Sequence, residues 1–582
     1  MVFHYSYRNC VTQPFPIKDV STFVFDALKN NLDDNDWESK KAVISGITSE
    51  SLTYKEIYDM SNKLASGFQN ILKLKRGDVI FSLFDNHVNM IPLFHATIMA
   101  GCIYSMAMPE YPEFELALRL TILKPKVIIT TKELLDKVKA TISLVDKDIL
   151  EDNPYKIYLL EDVIQPQTSP KEVNGNDRGE KGNSEENEMP LPQSIFTFMS
   201  DEEFDPLVIS NEEEFETTAV IGFSSGTTGK WPPKGIEIPH RALVSCAYPE
   251  LCHDTVAELR ALQDNTTIVG MPMGVAYGIL LYCVRHLSQG TTTIASFAIP
   301  LETIFENISK YQVRDINISP FFIEIIRDSW RDVYSKYDTS TVKNFYSSGA
   351  PLTYDASNFV EKEIGVPIHS LYGSSECFGI ASLRVTSYTE TRGQPLSGVD
   401  IKILDTRGKE LGANQVGEMW IKSRTRMKSY YGNPEATKKA FDEDGFYCLG
   451  DIGMIDDDGN IHLYGRKSDM IYYHDKIIFP IEIETKLNSY PGVTYSCVVG
   501  VYNPEHKTEV PYAYIVSNIA NPGDDTTEIV NWVNEQLTTK EHHLSHGAEY
   551  IKELPKSTAG KLFRYRLKQM YYESRGIEPL KN

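Results

Sequence analysis

The chain has 582 residues, too many for one small core, and its 41% hydrophobic and 11% aromatic content is that of an ordinary globular protein with two or more domains. A formal net charge of −22 speaks against nonspecific binding to nucleic acid or to an anionic membrane surface. The eight cysteines are scattered with no Cys-x-x-Cys pair, so neither a zinc site nor a disulfide framework is indicated, and a reducing compartment is expected.

The first residues, Met1 to Arg8, lack an apolar signal core. No run of 18 apolar residues occurs, so no integral membrane segment is expected. The last four, Pro579-Leu580-Lys581-Asn582, are not a Ser-Lys-Leu address. The expectation is a cytoplasmic protein or one inside an organelle.

Residues 41–60 read as strand, turn and helix, with Thr53 and Glu56 at capping-box spacing and the helix continuing through Leu64, Ala65 and Phe68. Residues 77–83 read as a strand, 89–101 as an apolar helix, 126–130 as a buried strand and 156–160 as a further one. Strands alternating with helices predict an α/β domain with a largely parallel sheet. Residues 165–205 break the pattern. They are rich in Glu, Asp, Asn, Gly, Pro and Ser, and read as an acidic, disordered surface insertion, at its clearest from Gln165 to about Pro192.

Ala219-Val220-Ile221 then reads as a buried strand running into Ser224-Ser225-Gly226-Thr227-Thr228-Gly229. Six consecutive Ser, Gly or Thr residues let backbone N–H groups and hydroxyls close around an anion, and Lys234 beyond them adds a point charge suited to phosphate. The Walker A pattern fails here, because Ser224 stands at its first glycine and Trp231 follows Gly229-Lys230. Further strands are expected at 266–273, 315–320, 345–352 and 368–376, and parallel sheets place ligands in the loops after such strands. From about 395 short alternating strands predict a β-rich subdomain. Residues 469–582 hold strands near 494–501 and 510–517 and helices near 480–488 and 526–537, enough for a small α+β domain.

With these loops in order, the chain resembles the adenylate-forming superfamily of acyl- and aryl-CoA ligases, insect luciferases and peptide-synthetase adenylation domains. In pattern it is nearest to the 4-coumarate–CoA ligase and luciferase-like acyl-CoA synthetases. Ser224 to Gly229 with Pro233-Lys234-Gly235 resembles the family's phosphate loop, and Gly349-Ala350-Pro351 its turn beside adenine and acyl group. Tyr372-Gly373-Ser374-Ser375-Glu376 resembles Tyr-Gly-x-Thr-Glu, and Leu449-Gly450-Asp451 resembles Thr-Gly-Asp. Gly465-Arg466 with Asp469 resembles the hinge motif, and the run from Pro555 to Lys561 the C-terminal lysine motif. The resemblance implies an α/β fold with an N-terminal adenylation domain over 1–464, a hinge at 465–469 and a mobile α+β lid over 470–582.

It also implies the chemistry. A carboxylate would attack the α-phosphate of ATP, pyrophosphate would leave, and the acyl group would pass to CoA. Such phosphoryl chemistry needs positioning and charge stabilisation rather than a protein nucleophile. By resemblance, Lys561 would bridge the carboxylate and the α-phosphate, and Glu376 with Thr228 would hold Mg²⁺. Asp451 and Arg466 would take the ribose, Tyr372 would stack on adenine, and Thr227, Thr228 and Lys234 would hold the β- and γ-phosphates. Ser224, Ser225, Gly226, Gly229, Gly349, Ala350, Pro351, Gly373 and Ser375 complete the expected nucleotide contacts. The partners expected are a small carboxylic acid, fatty or aromatic, and CoA or another acyl acceptor. Small residues at Gly349-Ala350 and Cys377-Phe378-Gly379 suggest an elongated or aromatic acyl pocket.

Four departures stand out, the first bearing on the seat of Lys234 and the other three on the acceptor. The phosphate loop carries two extra residues before Lys234. Asp475 stands where the family's ligases have a glycine and Ser468 at the usual Asp or Lys of the hinge. Val275 falls where an aromatic or histidine often lies near the CoA tunnel. Three readings stay open: a CoA ligase, an adenylating enzyme with an amine, alcohol or oxygen acceptor, and a catalytically silent nucleotide-binding scaffold.

Overall fold

The central strands of the first sheet form where the sequence is mostly apolar. Val79–Leu83 and Val127–Thr130 are buried along their whole length, which is the pattern of parallel strands covered on both faces. The computed structural model describes residues 2–4, 15–161, 192–224, 233–251, 265–556 and 562–577, apart from 298, 334–335, 351, 353, 386–390, 392, 475, 520–522 and 524. One seven-stranded sheet runs Ser429–Tyr430, Gly235–Pro239, Thr218–Phe223, Ile103–Ala107, Val79–Leu83, Val127–Thr130, Lys156–Leu159. The last five are parallel, and Gly235–Pro239 returns antiparallel against Thr218–Phe223 as a hairpin.

A nine-stranded sheet has six parallel strands at its centre, in the order Ile368–Ser374, Asn344–Ser348, Asp315–Ile318, Thr266–Val269, Thr292–Ala295, Lys41–Ser45. Antiparallel strands close it at both ends: Ser51–Thr53 at one, Cys377–Val385 and Gln394–Pro395 at the other. The helix Tyr54–Asn70 starts at Thr53 with the capping box complete, Thr53 and Glu56 satisfying each other's backbone N–H. It packs on the helix Met90–Met99, whose residues from Met90 to Ile98 are all buried. A helix that is buried all round lies between layers. Its hydrophobic cluster indeed joins Tyr104 and Val220 of the first sheet to Val269 and Ala295 of the second.

A third sheet of five antiparallel strands follows the order Val2–His4, Val399–Leu404, Gly417–Ser423, Tyr447–Ile455, Ile461–Arg466. The C-terminal part is smaller. Val493–Asn503, Thr508–Ser517 and Ala548–Tyr550 form one sheet, covered by the helices Pro480–Asn488, Thr527–Gln536 and Arg564–Arg575. Alternation along Val493–Asn503 sends Val498 to one small core with Ile483 and Val533, and Cys497 and Val499 to another with Leu567 and Tyr571. The expected α/β architecture, with a large N-terminal and a small C-terminal part, is the one observed.

The insertion expected over 165–205 is narrower at its C-terminal end. Residues 162–191 lie outside the described residues, but Ser194 bridges to Leu159, Ile195–Phe198 forms a 3₁₀ turn, and the carbonyls of Glu202 and Asp205 accept from Ser66 and Gln69 of the helix Tyr54–Asn70. Backbone groups satisfied in this way hold the segment down despite its acidic composition. Among the described residues no helix is long and apolar enough to cross a membrane.

Candidate active site

Asp451 lies in the strand Tyr447–Ile455, directly opposite Arg466 of Ile461–Arg466. It is 6% exposed. Arg466 donates from Nε to Asp451 Oδ1 at 2.9 Å and from Nη1 to the Leu449 carbonyl at 2.9 Å. Tyr372, from the nine-stranded sheet, donates its hydroxyl to Asp451 Oδ2 at 2.5 Å. The three residues therefore tie two sheets together. Burial, then the neighbouring Asp451 charge, pushes the Tyr372 phenol well above its ordinary value, so it stays a neutral donor. Burial works against the Arg466 charge, but the Asp451 carboxylate, with Tyr372 and Glu376, outweighs it and raises the guanidinium above its usual value.

Glu376 stands in the tight turn between the antiparallel strands Ile368–Ser374 and Cys377–Val385, beside Ser375. The turn is fixed from both sides: Cys377 N–H donates to Ser374 Oγ at 3.1 Å, and Met427 N–H donates to the Glu376 carbonyl at 2.7 Å. Gly373 next to it leaves little room for a side chain, since a Cβ there would lie 3.0 Å from the Gly379 nitrogen. The Glu376 charge reaches two tyrosines. Burial and then Glu376 push the Tyr430 phenol up to about 12 and the Tyr447 phenol well above its usual value. Their hydroxyls lie 3.4 Å apart.

Tyr430 leads to the glycine-rich run. The Lys234 ammonium sits 4.5 Å from the centre of its ring. The Lys234 backbone N–H donates to Ser224 Oγ at 3.2 Å, and the Ser224 N–H donates to the Lys234 carbonyl at 3.1 Å. Ser224 and Lys234 thus close the neck of the connection in the hairpin Thr218–Phe223/Gly235–Pro239. Ser225, Gly226, Thr227, Thr228 and Gly229, expected to hold phosphate, lie outside the described residues, as do Pro351, Asp475 and Lys561.

Gly349 and Ala350 follow the strand Asn344–Ser348, whose Ser348 pairs with Leu371 beside Tyr372, so both belong to the same sheet edge. Gly349 has φ +89°, which a side chain would strain. Cys377 and Phe378 turn into the core at 0% and 3% exposure, and burial raises the Cys377 thiol to about 11. Val275 is half-buried at the start of the short helix Ala276–Ile279.

The stretch expected to act as a hinge shows a change of anchorage at one residue. Arg466 and Lys467 hold to the five-stranded sheet, Lys467 Nζ donating to Glu418 at 2.9 Å. Asp469 instead faces Arg564 of the C-terminal part at 3.6 Å. Ser468, exposed, stands between them.

Sequence reasoning missed Tyr430 and Tyr447. For Tyr447 a signal existed: strand alternation puts 447, 449 and 451 on one face. For Tyr430 none did, because its partner Lys234 is remote in sequence. Among the described residues no group of three or more His, Cys, Asp or Glu gathers to hold a metal. The donor set still fits Mg²⁺, which commonly takes one or two carboxylates with substrate phosphates, and Glu376 is the carboxylate in place.

Known proteins are similar to this chain along nearly its whole length. The AMP-binding enzyme family model matches residues 33–431, and the model of the AMP-binding enzyme C-terminal domain matches 482–561. A probable 4-coumarate–CoA ligase 2 of Dictyostelium discoideum is 28% identical over 91% of this chain and 92% of its own. The crystal structure of ATP-bound MatB from Rhodopseudomonas palustris is 22% identical and superposes with a TM-score of 0.77, covering 96% of this chain and 99% of that one. The amide bond synthetase McbA from Marinactinospora thermotolerans is 20% identical with a TM-score of 0.73, covering 95% and 99%. The last two likenesses concern the fold. With a family model spanning most of its N-terminal part and a second in its C-terminal part, the chain belongs to the AMP-binding enzyme family of adenylate-forming enzymes.

Proposed function

We propose that the protein activates a carboxylic acid with ATP, forming an acyl-adenylate and releasing pyrophosphate, and then passes the acyl group to the thiol of CoA. The observation that carries this reading is the run of contacts from the Tyr372–Asp451–Arg466 cluster, through the shared field of Glu376 at Arg466, Tyr430 and Tyr447, to Lys234 at the neck of the glycine-rich loop. It supports a nucleotide site that reaches from Asp451 to Ser224 and Lys234 at the neck of that loop.

In the first step a carboxylate oxygen bonds to the α-phosphorus and the bond to pyrophosphate breaks. Both reactants are anionic, so the barrier is partly their repulsion. Lys561 would place its ammonium between them, and Lys234 with Thr227 and Thr228 would hold the departing phosphates. Asp451 would accept from the ribose hydroxyls, Arg466 keeping the carboxylate in place. Mg²⁺, held by Glu376 and Thr228, would offset charge on the phosphates. In the second step the thiolate attacks the acyl carbon and AMP leaves with the bonding pair.

A second reading exchanges the thiol for an amine or alcohol. Asp475 at a glycine position and Ser468 at the hinge favour it, as does the likeness in fold to an amide bond synthetase. The test is mass spectrometry on protein with MgATP, CoA and a panel of fatty and hydroxycinnamic acids, with and without an added amine. Acyl-CoA supports the first reading. Acyl-AMP alone, or an amide, moves the assignment to the second. Nucleotide binding with no product from any acid sinks both. Lys561→Ala should lower acyl-AMP formation by about 100–1000-fold.

A further inference from the structure

Two groups of the proposed site are far apart in the chain: Glu376 in its turn, and Lys234 at the neck of the glycine-rich loop. Residues 424–431 reach both. The first half of this stretch lies along the Glu376 turn. The Phe378 N–H donates to the Thr425 carbonyl at 3.3 Å, and Thr425 Oγ1 donates to the Phe378 carbonyl at 2.5 Å. Arg426 bridges to Cys377, and the Met427 N–H donates to the Glu376 carbonyl at 2.7 Å. The second half lies along the strand Gly235–Pro239. The Lys428 N–H donates to the Glu237 carbonyl at 2.8 Å and the Tyr431 N–H to the Gly235 carbonyl at 2.9 Å, with the Tyr430 ring against the Lys234 ammonium. Residues 424–431 are therefore a strap whose register ties Glu376 to Lys234.

Arg241, in the first turn of the helix His240–Ala247, holds the first half of the strap. It is 4% exposed. Its Nη1 donates to the Arg424 carbonyl, its Nη2 to the Arg426 carbonyl at 3.2 Å, and its Nε to Glu216 at 2.5 Å. Burial, and then the Arg241 charge, pulls the Arg426 guanidinium below its ordinary value, with Glu216 opposing. Desolvating a charge is costly, and an apolar side chain of like volume often fills such a place with no loss of stability. What the charge supplies is direction. A planar fork fixes two acceptors at set positions, here the carbonyls on either side of Thr425. Mg²⁺ tolerates little variation in the geometry of its ligands, so the place of the Glu376 turn matters to any metal held there.

We infer that Arg241 is a positioning residue for MgATP: through the main chain of the strap it sets where Glu376, the proposed Mg²⁺ carboxylate, stands relative to Lys234, the proposed phosphate lysine. That role rests on the nucleotide reading given above.

Hydrogen–deuterium exchange on the full chain tests the strap without nucleotide or metal. In Arg241→Met, amides of 377–378 and 425–431 should lose about tenfold of their protection, while those of Val79–Leu83 keep theirs. Unchanged protection in the strap, or equal loss in both places, overturns the inference. Calorimetric binding then tests position. Affinity for ATP at a fixed, subsaturating Mg²⁺ concentration should fall about tenfold, and the half-saturating Mg²⁺ concentration should rise. Affinity for AMP without Mg²⁺, which rests on the Tyr372–Asp451–Arg466 cluster, should stay within about twofold. Equal losses for ATP and AMP would mean a merely structural role and overturn the positioning claim. Should Arg241→Met not fold, Arg241→Lys, which keeps the charge but not the planar fork, must show the same split. Glu376→Gln checks the reading beneath. An ATP affinity and Mg²⁺ dependence like those of the unaltered protein would refute the metal role of Glu376 and the positioning claim with it, while the exchange result still decides whether Arg241 holds the strap.

Discussion

Asp451 accepts from Tyr372 on one oxygen and from Arg466 on the other, and the value of each bond differs. Removing the carboxylate strands a guanidinium whose side chain is 40% exposed, so water recovers part of the loss. Asp451→Ala should therefore cost about 2 kcal/mol rather than the larger penalty of a fully buried broken pair, measured by urea unfolding. Tyr372→Phe removes one neutral donor and should cost about 1 kcal/mol. On the proposed function the two also separate kinetically. Asp451→Asn should raise KM for ATP about tenfold, whereas Tyr372→Phe, which only orients Asp451, should change it by no more than about threefold. Equal effects would mean that the phenol itself meets the nucleotide. At this scale the sequence was informative where a motif is local: Tyr372 and Glu376 stand within five residues, and one turn positions both. It was silent where the site is made by register. Nothing near Lys234 announces Tyr430, because the pairing of Ser429–Tyr430 with Gly235–Pro239 spans almost two hundred residues of chain.

The helix Tyr54–Asn70 shows how far local pattern reaches. Its start was legible from Thr53 and Glu56, since a capping box is a contact between neighbours. What lies on its back was not. Gly67 is there because the chain crosses it: an added Cβ would sit 1.7 Å from the Phe198 carbonyl oxygen. Two effects then oppose each other in Gly67→Ala. Alanine favours a helix interior over glycine by about 1 kcal/mol. A collision with backbone at that distance cannot be relieved by a rotamer change, and displacing the 3₁₀ turn Ile195–Phe198 also loosens the bonds of Ser66 to Glu202 and Gln69 to Asp205. The collision should win, with net destabilisation of about 1–3 kcal/mol. Helix content should stay nearly constant, and limited proteolysis should cut within 192–205 much faster than in the unaltered protein. Unchanged cleavage there would show that the segment is not held by the helix. The same distinction explains the acidic stretch as a whole. Composition does not reveal the few backbone carbonyls that bind its end.

The core that joins the two large sheets encloses histidines that carry no charge. His95, His240 and His286 are 0%, 2% and 5% exposed, and burial lowers each to about 3. Their partners suit the neutral ring. His95 contacts Ser21 Oγ through Nδ1 at 3.0 Å and the Cys283 carbonyl through Nε2 at 2.9 Å, while His240 Nδ1 accepts from the Val20 N–H at 3.2 Å. The pH dependence follows from this. In the unfolded chain each ring takes a proton as pH falls through about 6.5, whereas in the folded protein it does so only near 3. Between those values the unfolded state binds more protons, so stability rises with pH there and falls on acidification. Each ring contributes up to about 1.4 kcal/mol per pH unit once pH is well below 6.5. Buried Asp19 works in the opposite direction, since burial raises its carboxyl, whereas His87 and His546, which burial also lowers, add to the effect of the three rings. Urea midpoints should therefore fall steadily between pH 7 and pH 5. His286→Met deletes one of the three rings at the most weakly bonded site, where Nδ1 meets Thr293 Oγ1 only at 3.5 Å. Whatever that variant loses in absolute stability, its slope against pH over this interval should drop, by no more than about 1.4 kcal/mol per pH unit. A slope equal to that of the unaltered protein would mean that His286 titrates normally in the fold, and that the layer between the two sheets is open to water at that point.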